Sequence, residues 1–383
     1  MNIAEVAHRA GVSRSTVSYV LSGKRQVTEA TRQRVLRVID EVGYRPSAVA
    51  RSLRHGETRT LGLVVPPLRH RLSAEQLHFV GAVADAAADH DYDILLSPSG
   101  GDREAAFDKL IGERRVDGIV LMETDDDDVR ARKLAASAFP FVTIGRTGSD
   151  AHSWVDIDFS GVIAAGVRRL HALGHRRMAL INRPQELLDR EYGPAVRARE
   201  GFQRASAELG VAGASLCCDD LPAAARLCVE RLYAGCDTDC DTGWDTDGDT
   251  DGPGPTAILT INGQALAGVL FGLRERGLSV PADVSVLAVA SARAATSVQP
   301  QVSSADVPAE EMGRHAVETL LRLLADPAAP LAHILLAPPF DNRGSVAAPR
   351  RNPKSFSLMV SFARDTHAKL TLKPSPSARD ARP

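Results

Sequence analysis

The stretch GVSRSTVSYVLSG, residues 11–23, places Val17, Val20 and Leu21 at i, i+3 and i+4, which is one face of a short helix. Its opposite side carries Arg14, Ser15, Ser18 and Tyr19. Gly11 precedes it as a turn residue, and Ser13 is placed to cap it. Upstream, Ile3, Val6, Ala7 and Ala10 form a second stripe, with Asn2 as its cap and Glu5 three positions on, a capping box in miniature. Downstream, Thr28 opens a third helix with the stripe Val35, Val38, Ile39 and Val42, closing near Gly43. Three short helices sharing one small core, the first two joined by a tight glycine turn, make a helix-turn-helix layout. In that layout the second helix enters the major groove of DNA. Short hydroxyls on its exposed face can approach phosphates and base edges, and an arginine can bridge both acceptors of a guanine. Spacing alone leaves one alternative open, a three-helix cap whose polar face is merely solvated.

The charge distribution favours the first reading. Residues 1–59 hold 11 Lys and Arg against 5 Asp and Glu, whereas the rest of the chain holds 35 against 43. A basic head on an acidic body points to a polyanionic partner for the head. The 383 residues, 44% hydrophobic and 25% charged, are enough for two or three domains with real cores. No run approaches the length of a membrane span, and MNIAEVAHRAG lacks the cationic start and apolar stretch of a secretory signal. Five cysteines form no even disulfide framework, so a reduced, cytoplasmic protein without membrane partners is expected.

EVAHRAGVSRSTVSYVLSG, followed by VTEATRQRVLRVIDEVGYRPSAVARSLR, resembles the DNA-binding head of the lactose-repressor (LacI/GalR) family of bacterial transcription regulators. The signature is specific: AGVS, TVS, the VT..TR..V segment, the GY.P element and a short A..L segment. The resemblance runs to about Ala347. It implies that Arg14 and Ser15 read bases at the start of the recognition helix, and that Thr16 and Ser18 contact phosphates or neighbouring bases. Tyr19 stands where many members carry arginine, and Thr28 takes a backbone-phosphate position at the third-helix cap. SAVARSLR (47–54) matches the hinge helix, with Leu53 as the leucine that wedges into the minor groove and Ala50 as the small residue that lets paired hinges approach. An apolar wedge unstacks a base step and bends the duplex; a linker residue docking on the body is the alternative for Leu53.

From Leu61 onward the pattern alternates. TLGLVV, YDILLS, GIVLM, FPFVTIG, RRMALIN, PTAILTIN and VSVLAVA read as strands, with helical segments between them, which implies a parallel sheet covered on both faces. The resemblance implies two doubly wound subdomains like those of periplasmic sugar-binding proteins. The expected organisation is a helix-turn-helix domain at 1–46, a hinge helix and linker at 47–59, an effector-binding and dimerisation domain at 60–347 and a disordered tail at 348–383. Within the body, one subdomain is expected at about 60–158 plus 290–320, and the other at about 159–289 plus 321–345. The ligand would lie between them, near the carboxyl ends of the strands.

AVRAREGF (195–202) resembles the segment that holds the family's effector-binding arginine. Arg197 and Arg199 straddle the usual spacing, and Arg197 is favoured over the alternative of a solvated arginine at a helix start. Asn262 matches a family asparagine near the ligand, but Gly263 replaces the acidic residue that usually follows. After VSVL the family shows a G(Y/F)DD-like stretch; here Ala288, Val289, Ala290 and Ser291 carry no carboxylate. With aromatics at 4%, rings for stacking on a sugar also look scarce. An arginine donor without the usual carboxylate leans the expected effector from a neutral sugar toward an anionic metabolite. A DNA binder with no physiological small ligand is the other reading.

Two segments fall outside the resemblance. CDTDCDTGWDTDGDTDGPGP (236–255) is acidic and reads as a disordered surface insertion. Asp247, Asp249, Asp251 and Gly252 fit the start of a calcium loop, but its twelfth position is Ile258, and Cys236 and Cys240 lack zinc partners. The tail has no leucine heptads for a tetramerising coiled coil. No P-loop, GxSxG or HExxH appears, and no cofactor is expected. A solute-binding protein would share the body fold but has no use for a DNA-reading head. The expectation is a homodimeric, non-enzymatic repressor on a palindromic operator, gated by a sugar or related metabolite.

Overall fold

A computed structural model of the chain describes residues 2–22, 25–43, 57–65, 72–98, 104–113, 115–234 and 254–350. The head contains α1 (Ile3–Ala10), α2 (Arg14–Ser22) and α3 (Glu29–Val42). Asn2 caps α1 by accepting from the amides of Ala4 and Glu5 at 3.0 and 3.1 Å. The reciprocal half of the expected capping box is absent, because the Glu5 carboxylate accepts from Arg9 at 3.0 Å instead. Gly11 ends α1 at φ +64°, a left-handed conformation that a side chain would strain, and the chain turns there into α2. Ser13 Oγ accepts from the Thr16 amide at 3.1 Å and caps α2. Val6, Ala7, Ala10, Val17, Val35 and Val38 make the small core. Leu21 stays 37% exposed, whereas Val20 beside it packs half-buried against the small core.

The body holds two six-stranded sheets. The first is built from β1 (Thr60–Val65), β2 (Asp93–Pro98), β3 (Gly118–Met122), β4 (Phe141–Ile144), β5 (Ser153–Ile157) and a late strand, β11 (His333–Leu336), in the order β11-β5-β4-β3-β1-β2. Its helices are α4 (Ala74–Ala88), α5 (Glu104–Gly112), α6 (Val129–Ala136) and α13 (Ala309–Ala325). The second comprises β6 (Arg177–Asn182), β7 (Ala212–Cys217), β8 (Ala257–Thr260), β9 (Ser285–Val289), β10 (Ser303–Ala305) and β12 (Phe340–Asp341), in the order β12-β10-β9-β8-β6-β7. Here α7 (Phe159–Ala172), α8 (Gln185–Asp189), α9 (Gly193–Leu209), α10 (Pro222–Tyr233), α11 (Leu266–Glu275) and α12 (Ala292–Thr296) supply the cover. Every pairing is parallel except β10 with β12. The central strands are buried on both faces, which is why GIVLM and AILT read as unbroken apolar runs.

The strand order corrects the expected division of the chain. β10 pairs with β9 and so belongs to the second sheet, against the expectation that places 290–320 in the first subdomain. β11 pairs with β5, from His333 beside Trp154 to Leu336 beside Ile157, and so belongs to the first sheet, against the expectation that places 321–345 in the second subdomain. Of 290–320, α13, which packs on α4 and on β3 and β4, lies in the first lobe as expected, and of 321–345, β12 lies in the second sheet as expected. The chain therefore crosses between lobes after β5, after β10 and between β11 and β12. At Gly313 of α13 an added Cβ would sit 3.1 Å from that of Ala82, so the small residue allows the two helices to meet closely.

His175 anchors the end of the body. Its Nε2 lies 2.8 Å from the Ala347 carbonyl, which can only accept, so Nδ1 of the neutral ring accepts from the Thr256 hydroxyl at 2.9 Å. Both nitrogens are used, which leaves none for a metal, and no metal-binding cluster occurs among the described residues. Burial holds this imidazole below its ordinary value of 6.5. Burial, then His333, does the same to His152. A depressed folded-state value contributes stability above the ordinary value and loses it as pH falls below. The melting temperature should therefore drop between about pH 7 and pH 5. His175→Gln, which keeps a donor for Ala347, should flatten that slope in thermal scans; an unchanged slope would remove His175 as a contributor.

The described cysteines, Cys217, Cys218 and Cys228, are free thiols. Of the expected acidic insertion, 236–253 lies outside the described residues, but its last two residues do not behave as a loose loop. Gly254 and Pro255 are buried, their carbonyls accepting from Arg177 at 2.9 Å and from the Tyr233 hydroxyl at 2.6 Å. Most of the expected tail, from 351, also lies outside the described residues. No helix among the described residues is long and apolar enough to cross a membrane.

Candidate functional site

The exposed side of the head carries the first set of expected site residues. Arg14 and Ser15 are exposed at the start of α2, while Thr16, Ser18 and Tyr19 are half-buried along it. No acidic residue stands in the first turn of α2, so the positive end of its dipole is uncompensated. The Ser13 hydroxyl lies 2.7 Å from that of Ser15 and 2.9 Å from that of Thr16, a cluster of rotatable donors at the helix start. Tyr19 is covered by the Arg25 guanidinium, 5.7 Å from the ring centre. That contact returns a cation to the point where the resemblance had placed tyrosine for arginine, and sequence spacing did not single out Arg25. Thr28 precedes α3 without a capping bond; its exposed hydroxyl lies 2.9 Å from that of Thr31. Ala50 and Leu53 lie outside the described residues.

The second site is a cleft of about 900 Å³, counting its open mouth, between the two lobes. It forms where strands of both sheets end at their carboxyl side: Glu123 follows β3, Gly145 follows β4, Asp156 lies near the end of β5, Arg183 follows β6, and Gly263 and Ala290 follow β8 and β9. The N-terminal turn of α4 closes one wall through Ser73, Glu75 and Gln76. There Ser73 and Gln76 cap each other, and the Gln76 amide reaches the Glu123 carboxylate. Three rings, Phe79, Phe159 and Tyr192, also line the cleft. Aromatic residues are rare in the chain, but the fold gathers several of them at this place. Burial and the nearby Glu123 charge raise the Tyr192 phenol well above its ordinary range, so it remains a donor.

The expected effector residues are placed differently from one another and from expectation. Arg197 does not line the cleft. Its Nη1 donates to Asp156 Oδ2 at 3.3 Å and its Nη2 to the Arg146 carbonyl at 3.2 Å, with Asp126 at 3.6 Å. Asn262 is fully buried and donates to the Cys218 carbonyl at 3.2 Å, also outside the lining. Among the described residues the lining cation is Arg183, just beyond the end of RRMALIN, which the strand-end rule could have singled out. Gly263 and Ala290 do line the cleft without carboxylates, as the sequence indicates. The gap at Gly263 is filled from across the cleft: Glu75 Oε1 lies 2.7 Å from where a Cβ on residue 263 would stand.

The proposed donor, Arg197, is already paired, and the lining holds the carboxylates Glu75, Glu123 and Asp156. Burial pushes the Asp156 carboxyl above the ordinary carboxylate range, with Arg197 and Arg146 acting against that rise. Along one rim the lobes are tied together. Arg190 donates to Asp125 at 2.9 Å, the Asp126 amide donates to the Glu191 carbonyl at 3.0 Å, and Arg197 spans to Asp156. Glu123 and Glu191 take left-handed backbone conformations at this rim, with φ of +50° and +55°. Strain of this kind persists where surrounding contacts over-determine it, as at ligand clamps.

The head matches the sequence model of bacterial regulatory proteins of the lacI family over residues 2–47. The body matches that of periplasmic binding proteins and the sugar-binding domain of the LacI family over 58–244, and that of the periplasmic binding protein-like domain over 167–346. The regulator AglR of Rhizobium meliloti is 32% identical over 295 residues, 75% of this chain and 77% of that protein. The regulator CelR of Thermobifida fusca is 31% identical over 330 residues, 84% and 90% of the two chains. The chain belongs to the LacI family. Other relatives of this LacI-family regulator include the repressor PurR of Vibrio parahaemolyticus, 30% identical over 330 residues, 85% of this chain and 92% of that one. Among solved structures, a CelR–cellobiose complex superposes with a TM-score of 0.64 at 27% identity, covering 90% of this chain and 99% of that one. The lac repressor dimer bound to operator and an anti-inducer gives 0.77 at 22% identity, covering 91% and 99%, a likeness of fold. This LacI-family regulator is thus a DNA-binding transcription regulator with a helix-turn-helix head and a periplasmic-binding-protein-like body.

Proposed function

We propose that this regulator represses transcription as a homodimer on a palindromic operator and is gated by a small sugar-like metabolite in the interlobe cleft. The observation that carries the reading is the pairing of an exposed hydroxyl and arginine face on α2 with a ring-lined cleft between two lobes. In this assignment Arg14 and Ser15 read base edges, and Thr16, Ser18, Tyr19 with Arg25, and Thr28 hold phosphates or neighbouring bases. Ala50 and Leu53 pair and wedge the hinge. Arg197 acts on the effector indirectly, by holding Asp156, and Asn262 supports the Cys218 loop behind the wall.

The linkage argument is general. A ligand that prefers the closed cleft biases how the lobes sit, and in a dimer this biases the paired heads. Relatives named as repressors, and the CelR structure with cellobiose, support the reading. Selection of bound duplexes by the full chain should return a two-fold symmetric site. Adding metabolites coded beside the genomic sites should then change operator affinity. An asymmetric site, or affinity indifferent to every such metabolite, would overturn the proposal.

A further inference from the structure

We infer that Cys218 and Cys228 form a reversible dithiol–disulfide site, oxidised by hydrogen peroxide or another small hydroperoxide, in the loop behind the cleft wall. The inference does not depend on what the cleft binds. All five cysteines of the chain fall between 217 and 240, and the three described ones gather where β7 runs into α10. Cys217 ends β7, Cys218 follows it, and Cys228 lies in the middle of α10.

The geometry selects the pair. Cys218 and Cys228 both face the apolar core of the second lobe, with their thiols within hydrogen-bonding reach of each other. Cys228 Sγ lies 3.4 Å from the Cys217 carbonyl oxygen, and Cys218 Sγ lies 3.3 Å from that of Asp219. Successive residues of a strand point to opposite sides, and the Cys217 thiol accordingly turns away, donating to Gln185 Oε1 at 3.0 Å. A disulfide needs two sulfurs that can meet without moving the backbone far, which this contact provides. The cover over the pair is thin. Cys218 and Cys228 are 2% and 5% exposed, but Asp219 beside them is exposed and Leu221 is 60% exposed. Brief opening of this loop admits an oxidant little larger than water and holds back bulky reagents.

The two sulfurs take different roles. The hydrogen bond to Cys228, then burial, pushes the Cys218 thiol up, so the proton stays there. That bond, received from Cys218, holds the Cys228 thiol below its ordinary value, with Arg231 aiding and burial opposing. The thiolate is the nucleophile, which makes Cys228 the attacking sulfur. Its lone pair forms an S–O bond as the O–O bond of the hydroperoxide breaks; the other oxygen leaves with a proton as water or an alcohol, and Cys228 becomes a sulfenic acid. Cys218 then attacks that sulfur. The S–S bond forms, the S–O bond breaks, and the hydroxide takes the Cys218 proton to leave as water. Two thiols are oxidised by two electrons and one peroxide is reduced. The consequence reaches the cleft, because the Cys218 carbonyl accepts from Asn262 at 3.2 Å and Asp220 pairs with the lining residue Arg183 at 2.9 Å. Drawing the sulfurs from contact to bonding distance pulls this loop toward α10.

The test treats the reduced full-length protein with hydrogen peroxide, blocks the remaining thiols with N-ethylmaleimide and maps tryptic peptides by mass spectrometry. Cleavage after Arg226 puts Cys217 and Cys218 on one peptide and Cys228 on another. In the parent and in Cys217→Ser these peptides should become linked with the loss of two hydrogen atoms, and dithiothreitol should restore both thiols. Cys218→Ala should stop at a sulfenic acid on Cys228 that dimedone traps, whereas Cys228→Ala should leave Cys218 reduced at the same dose. Amide exchange of peptides within 218–228 should slow once the link forms. Thiols left unlinked by a dose that oxidises free glutathione in the same time would overturn the inference. A link that disappears in Cys217→Ser, or one that runs to Cys236 or Cys240, would overturn it as well. The parent and Cys217→Ser decide the outcome even if an alanine variant fails to fold.

Discussion

Asp156→Ala is expected to lower the free energy of unfolding by about 3 kcal/mol. Asp156 is 1% exposed, and its Oδ2 accepts from Arg146 Nε at 3.2 Å and Arg197 Nη1 at 3.3 Å. Truncation leaves two half-buried guanidiniums facing each other without their shared acceptor, and burial already disfavours the charge on Arg197. Removing one partner of a buried ion pair costs more than the pair contributes, because the remaining charge stays desolvated. Asp156→Asn keeps the volume and one acceptor oxygen and should cost less. Arg197 lies on α9 of the second lobe and Asp156 on β5 of the first, so the loss also loosens the lobes. The midpoint of urea unfolding measures the stability effect. A double cycle of Asp156→Ala with Arg197→Ala should show coupling above about 1 kcal/mol. Additive effects would mean that the contact across the cleft carries no energy.

Arg14→Ala is expected to weaken operator binding by about 1–3 kcal/mol and to relax preference at one symmetric pair of base positions. The residue is exposed at the start of α2 and is not held by an ion pair among the described contacts, so its guanidinium is available to a guanine edge. The salt dependence separates the two roles an arginine can take. A base-reading arginine changes sequence preference, whereas loss of a phosphate contact weakens all sequences alike and reduces the salt slope by about one. Binding-site selection with the variant, followed by titration at several salt concentrations, reads both. The same preferences at unchanged affinity would show that this face is not the reader.

The fold class and the head were legible because their determinants are local. Gly11 and Gly43 take the left-handed conformations that end α1 and α3, Ser13 caps α2, and the valine stripes point the three helices at one core. Each of these depends on residues within a few positions of one another. The buried strands were legible for a similar reason, since a strand covered on both faces has to be apolar throughout. Which sheet a late strand joins was not. SSA at 303–305 and HILL at 333–336 are too short to state a partner, and their assignment follows only from the edges that β9 and β5 leave open.

The cleft shows the same limit more sharply. Motif matching led to Arg197 and Asn262 and correctly noted the missing carboxylates at Gly263 and Ala290. It could not show that Asp156 occupies the Arg197 guanidinium, or that Glu75 reaches the space above Gly263 from the other lobe. Nor could it show that Phe79, Phe159 and Tyr192 converge on one cleft. The sequence by itself determined the helix-turn-helix head and the alternating α/β body, because capping, turn and burial patterns act over short separations, and it indicated the family through its resemblance to a specific set of motifs. Tertiary structure alone decided which lobe each late strand completes and which charges face the cleft. Parallel strands connected by helices bring residues from 75 to 290 to one set of carboxyl ends, and a side chain's partners there lie far from it in the chain.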